Sequence, residues 1–244
     1  MPERKTLLLT GASRGIGHAT VKRFSSAGWR VITCSRHPFP EDCPWEAGPE
    51  DHIQVDLADP NNTIEAVAEI RRRLVGGRLE ALVNNAGISP KGEAGARLDT
   101  LTTDLRTWGH VVHVNFVASI VLARGLIAEL SAAKGSIVNV TSIAGSRVHP
   151  FAGAAYSTSK AALAALTREM AHDLGPLGVR VNAIAPGEIE TEILSPGTDG
   201  LIEDIPLRRL GRPEEVARAI YFLCTAEGSY VSGAELQING GQHV

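Results

Sequence analysis

Tyr156 and Lys160 stand four residues apart in an alanine-rich stretch, a spacing that puts both side chains on one face of a helix. A tyrosine hydroxyl titrates near ~10, too high to act readily as a base at neutral pH. An ammonium group one turn away favours the phenolate, and such a tyrosine can deliver a proton to, or take one from, an alcohol oxygen. The pair alone is common in proteins. Ser142 ends the run Val140-Thr141-Ser142 upstream of it, where a hydroxyl could fix a carbonyl oxygen beside Tyr156. Asn115 interrupts an apolar stripe of helical spacing through Leu101, Leu105, Trp108, Val112, Ser119, Leu122, Leu126 and Leu130. A buried amide needs partners. Asn115 is read either as a structural residue satisfied by backbone groups or as the holder of a water linking Lys160 to solvent.

A second set suits a phosphate. Thr10-Gly11-Ala12-Ser13-Arg14-Gly15-Ile16-Gly17 follows a strand-like run and opens a helix-like one. Gly11 can make the tight turn, Gly15 can admit a phosphate to the backbone, and Gly17 can let the helix pack on the sheet. The helix start offers unpaired amide hydrogens to a pyrophosphate. The second strand candidate ends Cys34-Ser35-Arg36, with no carboxylate for ribose hydroxyls. Arg14, Arg36 and Ser35 instead suit a 2′-phosphate, which predicts NADP(H) in preference to NAD(H), with NAD(H) possible.

These residues need elements to hold them. Strand candidates are Lys5–Thr10, Arg30–Ser35, His52–Asp56, Ala81–Asn84, Ser136–Thr141, Arg180–Ile184 and Glu235–Ile238. Most are near-continuous apolar runs, as in strands covered on both faces. Helical stretches alternate with them near Gly15–Ala27, Asn62–Leu74, Thr102–Leu130, Ala154–Leu174 and Pro213–Cys224. The pattern predicts an α/β, Rossmann-type doubly wound fold, a seven-stranded parallel sheet flanked by helices. No repeat or linker divides the chain, so residues 1–244 are expected to form a single dinucleotide-binding domain. His37–Glu50 carries four prolines and breaks the alternation; it is read as a stiff irregular strap.

The 244 residues are 43% hydrophobic and 21% charged, with a net charge of −3, which excludes a disordered chain and a disulfide scaffold. No basic field is available for nucleic acid or an anionic membrane, and no apolar run spans a bilayer. With no secretory signal at the start, a cytoplasmic protein is expected. Cys34, Cys43 and Cys224 are too scattered for a zinc site, and no metal is expected.

Taken together, the motifs resemble those of the classical short-chain dehydrogenase/reductase family over nearly the whole chain. Gly11-x-x-x-Gly15-x-Gly17 is similar to its cofactor turn, and Asn84-Asn85-Ala86-Gly87 to its NNAG segment. Asp56-Leu57 matches its adenine contact, and Pro186-Gly187 through Ile189 to Thr191 its nicotinamide segment. Asn115, Ser142, Tyr156 and Lys160 match its catalytic tetrad. The resemblance implies hydride transfer between nicotinamide C4 and a carbonyl carbon. Ser142 would orient the oxygen, Tyr156 would exchange the proton, and Lys160 would hold the ribose and lower the tyrosine pKa. It also implies a homotetramer, or a dimer, packed through the Thr102–Leu130 and Ala154–Leu174 helices.

The ending Gly211-Arg212-Pro213-Glu214-Glu215-Val216 through Asn239-Gly240-Gly241 is most similar to the 3-oxoacyl-carrier-protein reductase branch. An acidic carrier protein would need cations at the site mouth. The segment after Gly187 instead carries Glu188, Glu190, Glu192, Asp199, Glu203 and Asp204. A small neutral ketone or alcohol is the expected substrate, with a carrier-protein reductase or a non-catalytic dinucleotide sensor as alternatives. In the connection from Ser142 to Tyr156, Phe151 and Val148 are expected as apolar walls and Arg147 or His149 as a polar contact, with an exposed loop position as the favoured reading of His149.

Overall fold

The near-continuous apolar runs do become strands covered on both faces, in a computed structural model that describes residues 4–38, 48–191 and 197–244. The strands are β1 (Thr6–Thr10), β2 (Arg30–Ser35), β3 (His52–Gln54), β4 (Ala81–Asn84), β5 (Ser136–Val140), β6 (Arg180–Pro186) and β7 (Glu235–Ile238). They form one seven-stranded sheet in the order β3-β2-β1-β4-β5-β6-β7. Every pairing is parallel. Alternate residues of one strand serve the two faces: Leu8 joins one core with Ile32, Leu82 and Ile137, while Leu7 and Leu9 join the other with Val31, Val83 and Val138.

The helices are α1 (Gly15–Ser25), α2 (Pro60–Arg73), α3 (Leu105–Val112), α4 (Ala118–Gly125), α5 (Ile127–Ala133), α6 (Ala154–Leu174) and α7 (Pro213–Cys224). Helices α1 and α7 cover one face through Phe24, Val21, Val216 and Ile220. Helices α2, α4, α5 and α6 supply Ile70, Leu122, Leu130 and Met170 to the other. Local chemistry sets the helix starts. Asp59 accepts from the Asn61 and Asn62 amides with Pro60 opening α2, and Glu215 accepts from the Arg212 amide ahead of α7.

Two expected elements differ. Strand β3 stops at Gln54, short of the expected Asp56. The expected continuous helix Thr102–Leu130 is three helices. A π turn over His113–Val117 separates α3 from α4, and a bend of 64° at Leu126 separates α4 from α5. The wide turn inserts one residue into the helical phase, so the regular stripe fails upstream of it. Leu101 and Leu105 are 92% and 87% exposed, and Val111 is buried in place of Val112. Downstream, Ser119, Leu122, Leu126 and Leu130 are buried as expected.

Residues 39–47 of the proline-rich segment and 192–196, including Glu192, lie outside the described residues. Among the described residues, no single helix is long and apolar enough to cross a membrane.

Candidate active site

Sequential strands run outward from β1 in one direction and from β4 in the other, so a crevice opens at the carboxyl ends of these neighbours. The glycine turn leaves β1 there. Gly11 and Gly15 have positive φ values of 69° and 54°, which glycine adopts without strain. A Cβ on Gly17 would strike the Gly11 carbonyl oxygen. Asn85 clamps the turn: its Nδ2 donates to the Gly11 oxygen at 2.8 Å and to the Thr10 oxygen at 3.1 Å. Thr10 Oγ1 accepts from the Asn85 and Ala86 amides. Ser13 and Arg14 are exposed at the turn, while Ile16 packs on the core.

At the tip of β2, Arg36 is exposed and Ser35 Oγ donates to the His37 carbonyl at 2.9 Å. Past β3, Leu57 is buried and Asp56 is exposed, with its amide donating to Asn62 Oδ1 at 2.7 Å. On the far side of the crevice, β6 ends at Pro186. Gly187 lies against Asn239, Ile189 is buried, and the Thr191 methyl sits 2.9 Å from where a Gly15 Cβ would be. These glycines are required by the packing of the chain on itself, since a Cβ at any of them would strike neighbouring protein atoms.

The reacting residues converge beside it. Ser142 Oγ accepts from the Ala144 amide at 3.2 Å, and its hydroxyl favours ionisation of the Tyr156 phenol. Lys160 lies one turn further along α6, with Nζ 5.7 Å from the centre of the Tyr156 ring. It is 3% exposed and donates to the Val140 carbonyl at 2.7 Å. Burial pushes its pKa down to about 8. Burial also raises the Tyr156 phenol above its ordinary value; the Ser142 hydroxyl draws it back and the Glu188 charge adds to the rise. Gly87 opens space at this point, since a Cβ there would stand 3.3 Å from Lys160 Nζ.

Asn115 is 1% exposed on the π turn, with its side chain held by three hydrogen bonds. Its Oδ1 accepts from the Ile88 amide at 2.8 Å, and its Nδ2 donates to the Ile88 carbonyl and to Ser159 Oγ, both at 3.0 Å. Ser159 in turn donates to the Tyr156 carbonyl at 2.7 Å.

Two expectations for the Ser142–Tyr156 connection are corrected. Val148 is 81% exposed and forms no wall. His149 is buried, because its ring is fastened on both sides. Nδ1 accepts from the Phe151 and Ala152 amides at 3.2 Å each, and Nε2 lies 2.5 Å from Glu188 Oε1. Nearby, Lys91 Nζ donates to the Phe151 carbonyl. Nothing in the spacing of His149 and Glu188 announces this pair; position directly after Gly187 was the one available sign for Glu188.

A nicotinamide-dinucleotide oxidoreductase of the short-chain type is the class defined by this sheet and crevice. The family model described as enoyl-(acyl carrier protein) reductase matches residues 11–243. The chain is 64% identical over 244 residues to protein FixR of Bradyrhizobium diazoefficiens, covering 99% of this chain and 88% of that one. It is 34% identical to 3-oxoacyl-[acyl-carrier-protein] reductase FabG of Aquifex aeolicus, covering 97% and 96%. An oxidoreductase from Brucella ovis, solved in complex with a partially ordered NAD, is similar at 65% identity and a TM-score of 0.86 over 97% of this chain and 100% of that one. The chain belongs to the short-chain dehydrogenase/reductase family of oxidoreductases.

Proposed function

We propose that the protein is an NADP(H)-dependent reductase or dehydrogenase that interconverts a small ketone and its secondary alcohol, with Tyr156 as the acid and base. The observation that carries this reading is the placing of Ser142 just past β5 beside a half-buried Tyr156, with the buried Lys160 one turn along α6 and its Nζ 5.7 Å from the tyrosine ring.

The residues lining the crevice fit a dinucleotide. The amides following Gly11 and around Gly15 and Gly17 would take the pyrophosphate, and Asp56 and Leu57 would face the adenine. Asn85, Ala86 and Gly87 would line the adenosine side, with Pro186, Gly187, Ile189 and Thr191 at the nicotinamide. When bound, the cofactor supplies a hydride at nicotinamide C4 and, in its oxidised form, a positive charge near the phenol. Ser142 then orients the carbonyl oxygen, and Tyr156 passes it a proton during reduction and accepts one during oxidation. Lys160 keeps two ammonium protons beyond the one on Val140, enough to hold ribose hydroxyls and to favour the phenolate. Asn115 anchors the Ile88 backbone beside them.

Arg36, with Ser13, Arg14 and Ser35 around it, supports the 2′-phosphate assignment. Ser35 spends its proton on His37, so the phosphate would fall first to Arg36. That engagement, with the NAD in the Brucella ovis relative, makes NAD(H) the second reading. A carrier-protein substrate is poorly served by Glu188, Glu190, Glu203 and Asp204 beyond β6. Self-association as a homotetramer or dimer is supported by the exposed Leu101 and Leu105, and the cofactor requirement supports a cytoplasmic location.

One experiment tests both halves of the proposal: oxidation of NADPH and of NADH by purified protein against a ketone panel that includes 3-oxoacyl thioesters. Tyr156→Phe is expected to remove turnover by at least ~100-fold while leaving NADPH affinity nearly intact. Arg36→Ala is expected to weaken NADPH about tenfold and NADH little. Undiminished turnover in the first variant removes Tyr156 from the reaction, and equal effects on the two cofactors remove the phosphate assignment.

A further inference from the structure

Beside the reacting tyrosine lies a polar set that the proton chemistry does not use. His149 Nδ1 faces two backbone N–H donors, those of Phe151 and Ala152, so it must present a lone pair. The ring proton therefore sits on Nε2 and is donated to Glu188 Oε1 at 2.5 Å. A second ring proton would break both Nδ1 bonds. The pair is accordingly a neutral imidazole and a carboxylate, and the negative charge stays on Glu188.

That charge is 8% exposed and needs an opposite one. Lys91, half-buried and fixed on the Phe151 carbonyl, is the cation its charge acts on, without a direct ion pair among the described residues. The Glu188 carboxylate supports the Lys91 ammonium against the effect of burial, and it opposes ionisation of Tyr156. Glu188 is therefore a handicap to the phenolate that oxidation requires. Its use is better sought in binding. Among the described residues its second oxygen has no hydrogen-bond partner, and Lys91 keeps two ammonium protons. One acceptor and one donor thus flank the His149–Phe151 segment, within the connection that runs from Ser142 to Tyr156.

We propose that Glu188, aimed by His149 and balanced by Lys91, is the specificity-determining residue of the pocket, which takes a neutral ketone bearing a hydroxyl on the carbon next to the carbonyl. The substrate hydroxyl donates to Glu188 and accepts from Lys91 while the carbonyl oxygen meets Ser142 and Tyr156. The inference rests on the reductase reading for the position of the carbonyl, and its test reads binding instead of turnover.

The probes are 3-hydroxybutan-2-one and butan-2-one, titrated calorimetrically into the Tyr156→Phe protein loaded with NADPH. The hydroxyketone is expected to bind at least about tenfold more tightly, as one hydrogen bond to a charged group provides. Adding Glu188→Gln, whose amide oxygen can still accept from His149, is expected to bring the two ketones within about twofold. Lys91→Met should erode the same preference and serves if the glutamine variant fails to fold. Equal affinities in the parent, no binding of either ketone, or a preference that survives both substitutions overturns the assignment. A binding preference that holds while the wild type turns over no ketone overturns the reductase reading alone.

Discussion

Lys160 sets chemistry against stability at a single residue. Its ammonium is buried with one carbonyl for company, and the fall from 10.5 to about 8 corresponds to ~3 kcal/mol of desolvation cost at neutral pH. Lys160→Met is expected to abolish turnover yet stabilise the ligand-free protein by about 1–2 kcal/mol, because a thioether of similar length needs no such compensation. The pH dependence follows in sign. Below pH 8 the lysine is charged in both folded and unfolded chains, and the wild type bears the whole cost. As pH rises from 8 to 10.5 the folded protein sheds its proton first, so the wild type gains on the variant across that window. Denaturant melts of both proteins at pH 7 and pH 10 check this; a gap of constant size would show that the ammonium is not what destabilises the fold.

Among the elements, α7 shows how much one terminus can carry. Glu215 binds the Arg209 guanidinium through both oxygens, at 2.7 and 2.8 Å, and also accepts from the Arg212 amide. The Arg209 bonds, with the Arg212 amide second, hold its carboxyl down to about 2. Half-exposure of Arg209 reduces the value of the pair, so Glu215→Gln is expected to cost only about 1 kcal/mol at neutral pH. The contribution is present above the ordinary carboxylate pKa and is lost as pH falls through 4.5 towards 2, where wild type and variant should converge in thermal melts. Elements with such local signals were legible from residue types alone: α6 and α7 begin and end where alanine content, Pro213 and the paired glutamates place them. The glycine turn, Asn85 and Ser142 were legible as short motifs just past strand ends, and Tyr156 and Lys160 by their spacing of four within α6. The division of Thr102–Leu130 was not, because a π turn has no composition of its own and a regular stripe assumes constant phase. His149 and Glu188 escaped for a different reason. They lie 39 residues apart on separate loops, and only the tertiary fold brings them together.

At the scale of the whole molecule, the two cores close over the sheet, yet Leu101 and Leu105 remain almost wholly in water. Apolar side chains grouped at the start of one helix gain by burial against a second copy of the chain. Leu105→Arg is expected to reduce the mass of the assembly measured by light scattering, while the isolated fold keeps its circular dichroism. An unchanged mass would place the contact elsewhere. Leu105, at the start of α3, points outward because the π turn displaces the phase of that helix, and the same turn carries Asn115 to the pocket. The segment therefore tolerates change in kind far better than change in length. Losing one residue between 113 and 117 would turn the upstream half by about 100° about its axis. Leu105 would swing toward the interior as the amide left Ile88, so one missing codon there would rewrite both the outside of the protein and the wall of its pocket.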